Sequence, residues 1–348
     1  MDHPLNGKKL LADINNSIES NDPVELKKAL IQYSDNYMDS NIVLAEPFVA
    51  LLKSNPQLAE VFLETYSVDV FSKRLKLPFE DAVANLPADD LPPRIKSEAQ
   101  QLSYAEEMIR AIENKDLDKA NQLIQDGLQT HRSFVYNNQE SENFALLAIR
   151  ANAPEIFKEM VQIGHAPNPF ADHLLDHQMS QRQENAFQVL MNHHLDAKRS
   201  GDPLAEKSVK AIYHAAVENN MFHSPFAKAS LFRELPNVFS VDDINALVKK
   251  GLPIETSFNG QTHTLAHGMI GHKAYPNEVK SFLKTLTDNG FDLNKPDYTG
   301  RSFIETVSQV SFGAPRFSDW KEGTDNFLKE NPQFNLNVEK KKELSFKP

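Results

Sequence analysis

The sequence predicts an all-α fold, a helix-turn-helix solenoid preceded by a small helical N-terminal region. Three observations point there. Apolar residues recur at steps of three and four, as in Leu117, Ala120, Leu123 and Ile124, the spacing that places them on one helix face. The 12 glycines are few for 348 residues, and Gly127, Gly164, Gly251 and Gly290 each end such a pattern. A helix stops most easily on a residue that accepts the left-handed backbone, so these glycines read as C-caps. Their intervals are regular: Gly127 to Gly164 and Gly251 to Gly290 each span about one unit, and the stretch between holds two, with His194 where the missing stop is expected. Two short helices, a stop and a loop cannot bury their apolar faces alone and must stack on their neighbours.

Composition narrows the classes of function. With 37 basic and 48 acidic residues the formal net charge is −11, which excludes a dedicated binder of nucleic acid or anionic membrane, since both need a basic face. There is no cysteine, so disulfides, thiolate nucleophiles and Cys-containing zinc sites are excluded. No apolar run approaches the ~18 residues of a spanning helix. Met1 to Lys9 carries Asp2 and Pro4 without an apolar stretch behind a basic cluster, so a soluble chain without membrane insertion or a secretory signal peptide is expected.

In order along the chain, residues 1–94 read as the N-terminal helical region. It starts with a helix pair at 9–33 and continues with helices over Ile42 to Leu52 and Pro56 to Tyr66. Leu77 to Arg94 is rich in proline and aspartate; prolines remove donors and push preceding residues out of helix, which places a boundary there. Residues 95–337 form an array of about six units. Within it, Phe144, Leu147 and Ala148 mark a short helix, and Ile156, Phe157, Met160 and Val161 mark its longer partner. Residues 221–240 read as an insertion between a helix at Val209 to Asn219 and one at Val241 to Lys250, and it carries Phe222, Phe226, Phe232 and Phe239. Four phenylalanines exceed what a solvated loop should expose, so the insertion is expected to pack. Residues 338–348 lack helical periodicity and read as a flexible tail.

The segment Asn143 to Gly164 resembles one whole ankyrin repeat, a unit of about 33 residues. Gly260-Gln-Thr-His-Thr-Leu-Ala266 is similar to the family's opening, Asn289-Gly-Phe-Asp-Leu-Asn294 to its ending, and Asp297-Tyr-Thr-Gly-Arg-Ser302 to the start of another unit. The resemblance covers about residues 104 to 337. Proline is absent from the opening, so the inner helices start on other N-terminal signals.

The resemblance implies a non-enzymatic protein–protein interaction scaffold, a monomer without a cofactor, that binds a partner protein through the concave face and loops of the array. Its loop tips include Phe134, Tyr136, Phe170, Phe258 and Tyr298, and aromatics offer large contact area at low entropic cost. The competing reading is a metal-dependent hydrolase or transferase that uses the His-rich segment 173–272 or a site in the N-terminal region. His173/His177 and His263/His267 have the i, i+4 spacing of two ligands on one helix face, with His272 a candidate third. No glutamate follows the first His of either pair as a zinc protease requires, so no metal is expected. In the resemblance, a His at the opening of the inner helix pins neighbouring loops. Phosphate loops and serine-nucleophile elbows are absent, and Asp89/Asp90 and Asp242/Asp243 suit helix starts. Finally, Glu339 and Glu343 followed by Leu344 and Phe346 resemble the C-terminal signals of bacterial type IV secretion substrates. That implies an effector delivered from a bacterium into the cytoplasm of a eukaryotic host, against the alternative of a cytoplasmic protein.

Overall fold

The computed structural model describes residues 3–36, 41–65, 70–72, 75–87, 89–132, 134–136, 139–162, 167–171, 184–309 and 315–334. Among the described residues the fold is all-α apart from two short hairpins and an isolated bridge, and the chain divides into two compact units, Met1–Phe144 and Ala145–Pro348. Among the described residues no helix is long and apolar enough to cross a membrane.

The first unit contains α1 (His3–Glu19), α2 (Pro23–Asn36), α3 (Asn41–Ser54), α4 (Pro56–Thr65), α5 (Lys76–Ala84), α6 (Pro93–Asn114) and α7 (Leu117–Gln125). Helix α1 packs on α2, α3 on α4 and α5, and α6 on α4 and α7. Phe48, Phe62 and Phe79 are fully buried, with ring centroids 5.8 and 6.2 Å from Phe48; each contributes roughly 2 kcal/mol of transfer free energy. The Pro- and Asp-rich stretch before Arg94 does not separate units. It carries α5, and Arg94 is tied back to α4: its backbone N–H donates to Glu60 Oε1 at 3.0 Å and its Nη1 to the Leu63 carbonyl at 3.0 Å. The division falls after Phe144, not at residue 94. The hairpin β1 (Phe134–Tyr136) and β2 (Gln139–Glu142) closes the unit.

The second unit is an ankyrin-like solenoid of helix pairs: α8 (Phe144–Arg150) with α9 (Pro154–Gln162), α10 (Ala186–Ser200) with α11 (Pro203–Glu218), α12 (Pro225–Val238) with α13 (Val241–Lys249), α14 (Leu265–Met269) with α15 (Pro276–Asp288), and α16 (Phe303–Gln309) with α17 (Pro315–Glu330). The first members form one row, with α10 against α12, α12 against α14 and α14 against α16. The second members form the other, with α9 against α11, α13 against α15 and α15 against α17. Lys210 Nζ donates to Asp243 Oδ2 at 3.0 Å, linking α11 to α13. Between α13 and α14 runs the antiparallel hairpin β3 (Glu255–Phe258) and β4 (Gln261–Thr264), and an isolated bridge, Pro296 to Ser302, precedes α16.

Two local expectations change. His194 does not replace a helix stop; it lies inside α10, 1% exposed, and the helix runs on to Gly201, whose φ of +67° supplies the left-handed cap. Residues 225–238 are not an insertion but a full row member, α12. Ser224 caps it by accepting from the Ala227 N–H at 3.0 Å, and Ala227, Leu231, Phe232 and Leu235 are buried. Pro236 sits in its last turn, where a missing N–H leaves the Phe232 carbonyl without its helical donor. Helix α14 approaches that carbonyl through Gly268, where a Cβ would stand 2.5 Å from the Phe232 oxygen. The pattern of Gly127, Gly251 and Gly290 as left-handed stops is present, with positive φ at each, while Gly164 lies outside the described residues.

Candidate protein-binding surface

The tips that precede α14 and α16 are built by local chemistry. Asn259 (φ +50°) and Gly260 (φ +72°) form the two-residue turn of the β3–β4 hairpin, since both central positions of such a turn require the left-handed region. The next tip is organised by Asp297, 8% exposed. Its Oδ1 accepts from the Thr299 N–H at 2.8 Å and from Thr299 Oγ1 at 2.5 Å, and its own N–H donates to the Arg301 carbonyl at 2.9 Å. A rigid turn results, with Tyr298 at its apex.

His267 joins the two tips. Its backbone N–H donates to Thr264 Oγ1 at 3.2 Å, its Nδ1 lies 2.6 Å from the same hydroxyl, and its ring meets Phe303 edge-on at 5.9 Å. Asp297 Oδ2 is 3.9 Å from Nε2, beyond hydrogen-bond length, so the carboxylate attracts the ring without capping it. Burial pushes the imidazole below its ordinary pKa, and Asp297 and the backbone at Ser302 and Arg301 oppose that shift. The order Thr, His, Asp has the form of a nucleophile with its base and orienting acid. Here, however, Thr264 caps α14 and is 4% exposed, and the His267 and Asp297 side chains are 8% and 4% exposed. The trio is buried and ties the two loops together. His263 does not join it, because its ring stacks on Tyr298; the His272 carbonyl accepts from Trp320 Nε1 at 2.8 Å. Among the described residues no group of three His, Asp or Glu side chains could hold a metal ion. His173 and His177 lie outside the described residues.

The five loop aromatics separate into groups. Phe134 is buried against Phe144 at 4.4 Å, and Phe170 is fully buried between Phe187 and Phe222 at 5.0 and 4.7 Å. Both rings close gaps in their own units. Tyr136 pairs in backbone register with Gln139, and its side chain is outside the described residues. Phe258 and Tyr298 come together in one ladder of rings: Phe226 of α12 to Phe258 at 5.4 Å, Phe258 to His263 at 6.5 Å, and His263 to Tyr298 at 5.1 Å in a near-parallel stack of 21°. Tyr298 is 55% exposed, and Phe258 and His263 are half-buried. Lys295 Nζ closes the flank with an ion pair to Glu255 at 2.8 Å. Phe226 and His263 are the members not named among the expected loop tips: Phe226 lay in the expected insertion, and His263 in a pair for which no metal was expected and a loop-pinning role was implied.

No protein-family model matches the chain, and no curated protein matches it in sequence. Among solved structures it is similar to the crystal structure of the human ASB11 ankyrin repeat domain, with 13% identity over 62% of this chain and 96% of that chain, at a TM-score of 0.27. The assignment of the architecture rests on the two rows of helices described above.

Proposed function

We propose that the chain is a non-enzymatic protein–protein interaction scaffold whose second unit recognises a partner protein through the tips before α14 and α16, with Phe258 and Tyr298 as anchors. The observation that carries this reading is the ring ladder itself. A tyrosine more than half exposed, stacked on a half-buried imidazole and held on a turn stabilised by buried Asp297, is rigid before binding. Such a residue loses little freedom when a partner covers it, which is what makes aromatic anchors effective.

The test is comparative capture. Wild-type protein and the double variant Phe258→Ala with Tyr298→Ala are used to retain partners from a eukaryotic lysate, and affinity for the recovered partner is then measured directly. The double variant should bind about tenfold more weakly or worse with an unchanged melting midpoint. Equal affinity would move the site elsewhere. A finer form of this proposal, an effector delivered by a bacterium to a host protein, is supported by Glu339, Glu343, Leu344 and Phe346 alone, which lie outside the described residues. Its test is a translocation reporter fused to the chain, with and without residues 338–348.

A further inference from the structure

The first unit holds a recess of about 480 Å³ lined by Arg94, Ser97 and Glu98 of α6 and by Gln129, His131 and Arg132 after α7. Its guanidinium groups are set in place by the fold. Arg94 Nη1 donates to the Leu63 carbonyl at 3.0 Å, which holds its guanidinium against α4. Arg132 Nη1 donates to Glu98 Oε2 at 2.7 Å, with both side chains mostly buried, and its guanidinium lies 3.9 Å over the Phe71 ring. Glu98, the carboxylate of the lining, is thereby engaged by Arg132. Among the described residues the Arg94 guanidinium pairs with no carboxylate, while Glu60 stands at its backbone N–H, in a chain whose net charge is −11.

The remaining polar groups are donors or can act as donors: the Ser97 hydroxyl, the Gln129 amide and the His131 ring. They approach from two chain segments that Gln101 locks together, its amide donating to the Gly127 carbonyl at 2.9 Å and its oxygen accepting from the Gln129 N–H at 2.8 Å. The first turn of α6 is already served by Glu60, so the recess works through side chains and not through the helix end. Arg94, Ser97, Gln129 and His131 line the recess from exposed positions, and donors grouped beside a guanidinium suit an acceptor-only ligand with more oxygens than a carboxylate has. The recess is also larger than a phosphoryl group, with the Leu63 side of the lining available to an organic part.

We propose that this recess binds a phosphate monoester, with Arg94 as the principal cation and Ser97, Gln129 and His131 as donors to the phosphoryl oxygens. The site is independent of the ring ladder in the second unit.

Isothermal titration of the full chain with phenyl phosphate, a phosphoserine tripeptide and inorganic phosphate tests it and separates the sources. At least one monoester should bind saturably, one per chain, and more tightly than inorganic phosphate; the tighter of the two identifies a small molecule or a peptide side chain. Arg94→Gln should weaken that binding about tenfold, as expected for a lost charge-assisted hydrogen bond. His131→Ala, at an exposed position, should weaken it about threefold with an unchanged melting midpoint. Absence of saturable binding to both monoesters, equal binding of inorganic phosphate, or His131→Ala and Arg94→Gln proteins that bind as the wild type does would each overturn the proposal.

Discussion

In the first unit, among the described residues, the largest fully buried side chains are Phe48, Phe62, Phe79 and Phe144, and the Glu80 carboxyl is shifted upward by burial. The second unit places imidazoles among its phenylalanines. His194 is 1% exposed inside α10, with Lys198, Glu206, Lys210 and the Asn237 backbone facing it. His214 of α11 lies edge-on to Phe239 at 6.0 Å, with Lys250, Glu218, Asp243 and Lys210 around it. His267 pins the tips. Burial is the leading cause that lowers the pKa of all three. Beside them Tyr213 is fully buried, and burial, followed by Glu234, pushes its hydroxyl above the ordinary phenol range. An apolar core is indifferent to pH, whereas a core built around neutral imidazoles is stable only while they stay neutral.

The largest effect that separates the units should come from Leu147→Asp. Leu147 is 2% exposed in α8, and an unpaired buried carboxylate costs about 4 kcal/mol or more. The protein has one tryptophan, Trp320, fully buried in α17 against Phe282 and Phe303 at 6.0 and 6.3 Å, so its fluorescence reports on the second unit. The Trp320 transition should shift to markedly lower temperature. An unshifted transition would show that α8 is not part of that cooperative core.

Next in size are the glycines at helix crossings. A Cβ at Gly323 would stand 2.6 Å from both the Pro276 carbonyl and Val279 Cβ, and one at Gly268 would stand 2.5 Å from the Phe232 carbonyl. Backbone cannot yield as a flexible side chain does, so each Ala substitution should cost about 2 kcal/mol. The control is Gly127→Ala in the first unit, where a Cβ meets nothing within 4 Å and the cost is the strain of its positive φ alone, about 1 kcal/mol. Chemical denaturation midpoints rank the three.

The pH dependence should follow the imidazoles. The folded second unit binds protons on His194, His214 and His267 less tightly than the unfolded chain does. Their stabilisation is therefore complete above the ordinary imidazole value, about 6.5, and is lost as pH falls below it toward the lowered folded values. Glu80 and Glu234 have the opposite sign: burial raises both, so the folded state takes up those protons first and gains stability as the pH drops toward the carboxylate range. Asp243 and Glu218 are lowered by Lys210 and Ser240 and by Lys250, and they add losses only below about pH 4.5. The Trp320 melting midpoint should thus fall between roughly pH 7.5 and pH 5.5, and His194→Leu should flatten part of that fall. A midpoint independent of pH over this range would remove the distinction between the two cores.

The smallest effect on stability belongs to the binding surface. Phe258→Ala and Tyr298→Ala should each leave the melting midpoint within about 0.5 kcal/mol of wild type while each costs roughly 1 kcal/mol of partner affinity. A large loss of stability in either variant would place that ring with Phe170 among the gap-closing residues.

Much of the helical pairing was legible because its signals are local. The apolar steps of Leu117 to Ile124, the Asp242/Asp243 start of α13 and the positive-φ stops at Gly251 and Gly290 each act within a few residues of themselves. A hairpin signal was equally local in Asn259-Gly260, but a helical reading of the segment passes over it. The tertiary structure decided what depends on distant neighbours. Residues 221–240 read as an insertion, and only the packing of α12 against α10 and α14, with Gly268 close to the Phe232 carbonyl, makes it a row member. Phe170 and Tyr298 are both aromatics on loops, yet Phe187 and Phe222 bury the first, while the Asp297 turn lifts the second into solvent. Whether a ring becomes core or contact surface is set by the residues that fold over it, and those are brought together only by the stacking of the helix pairs.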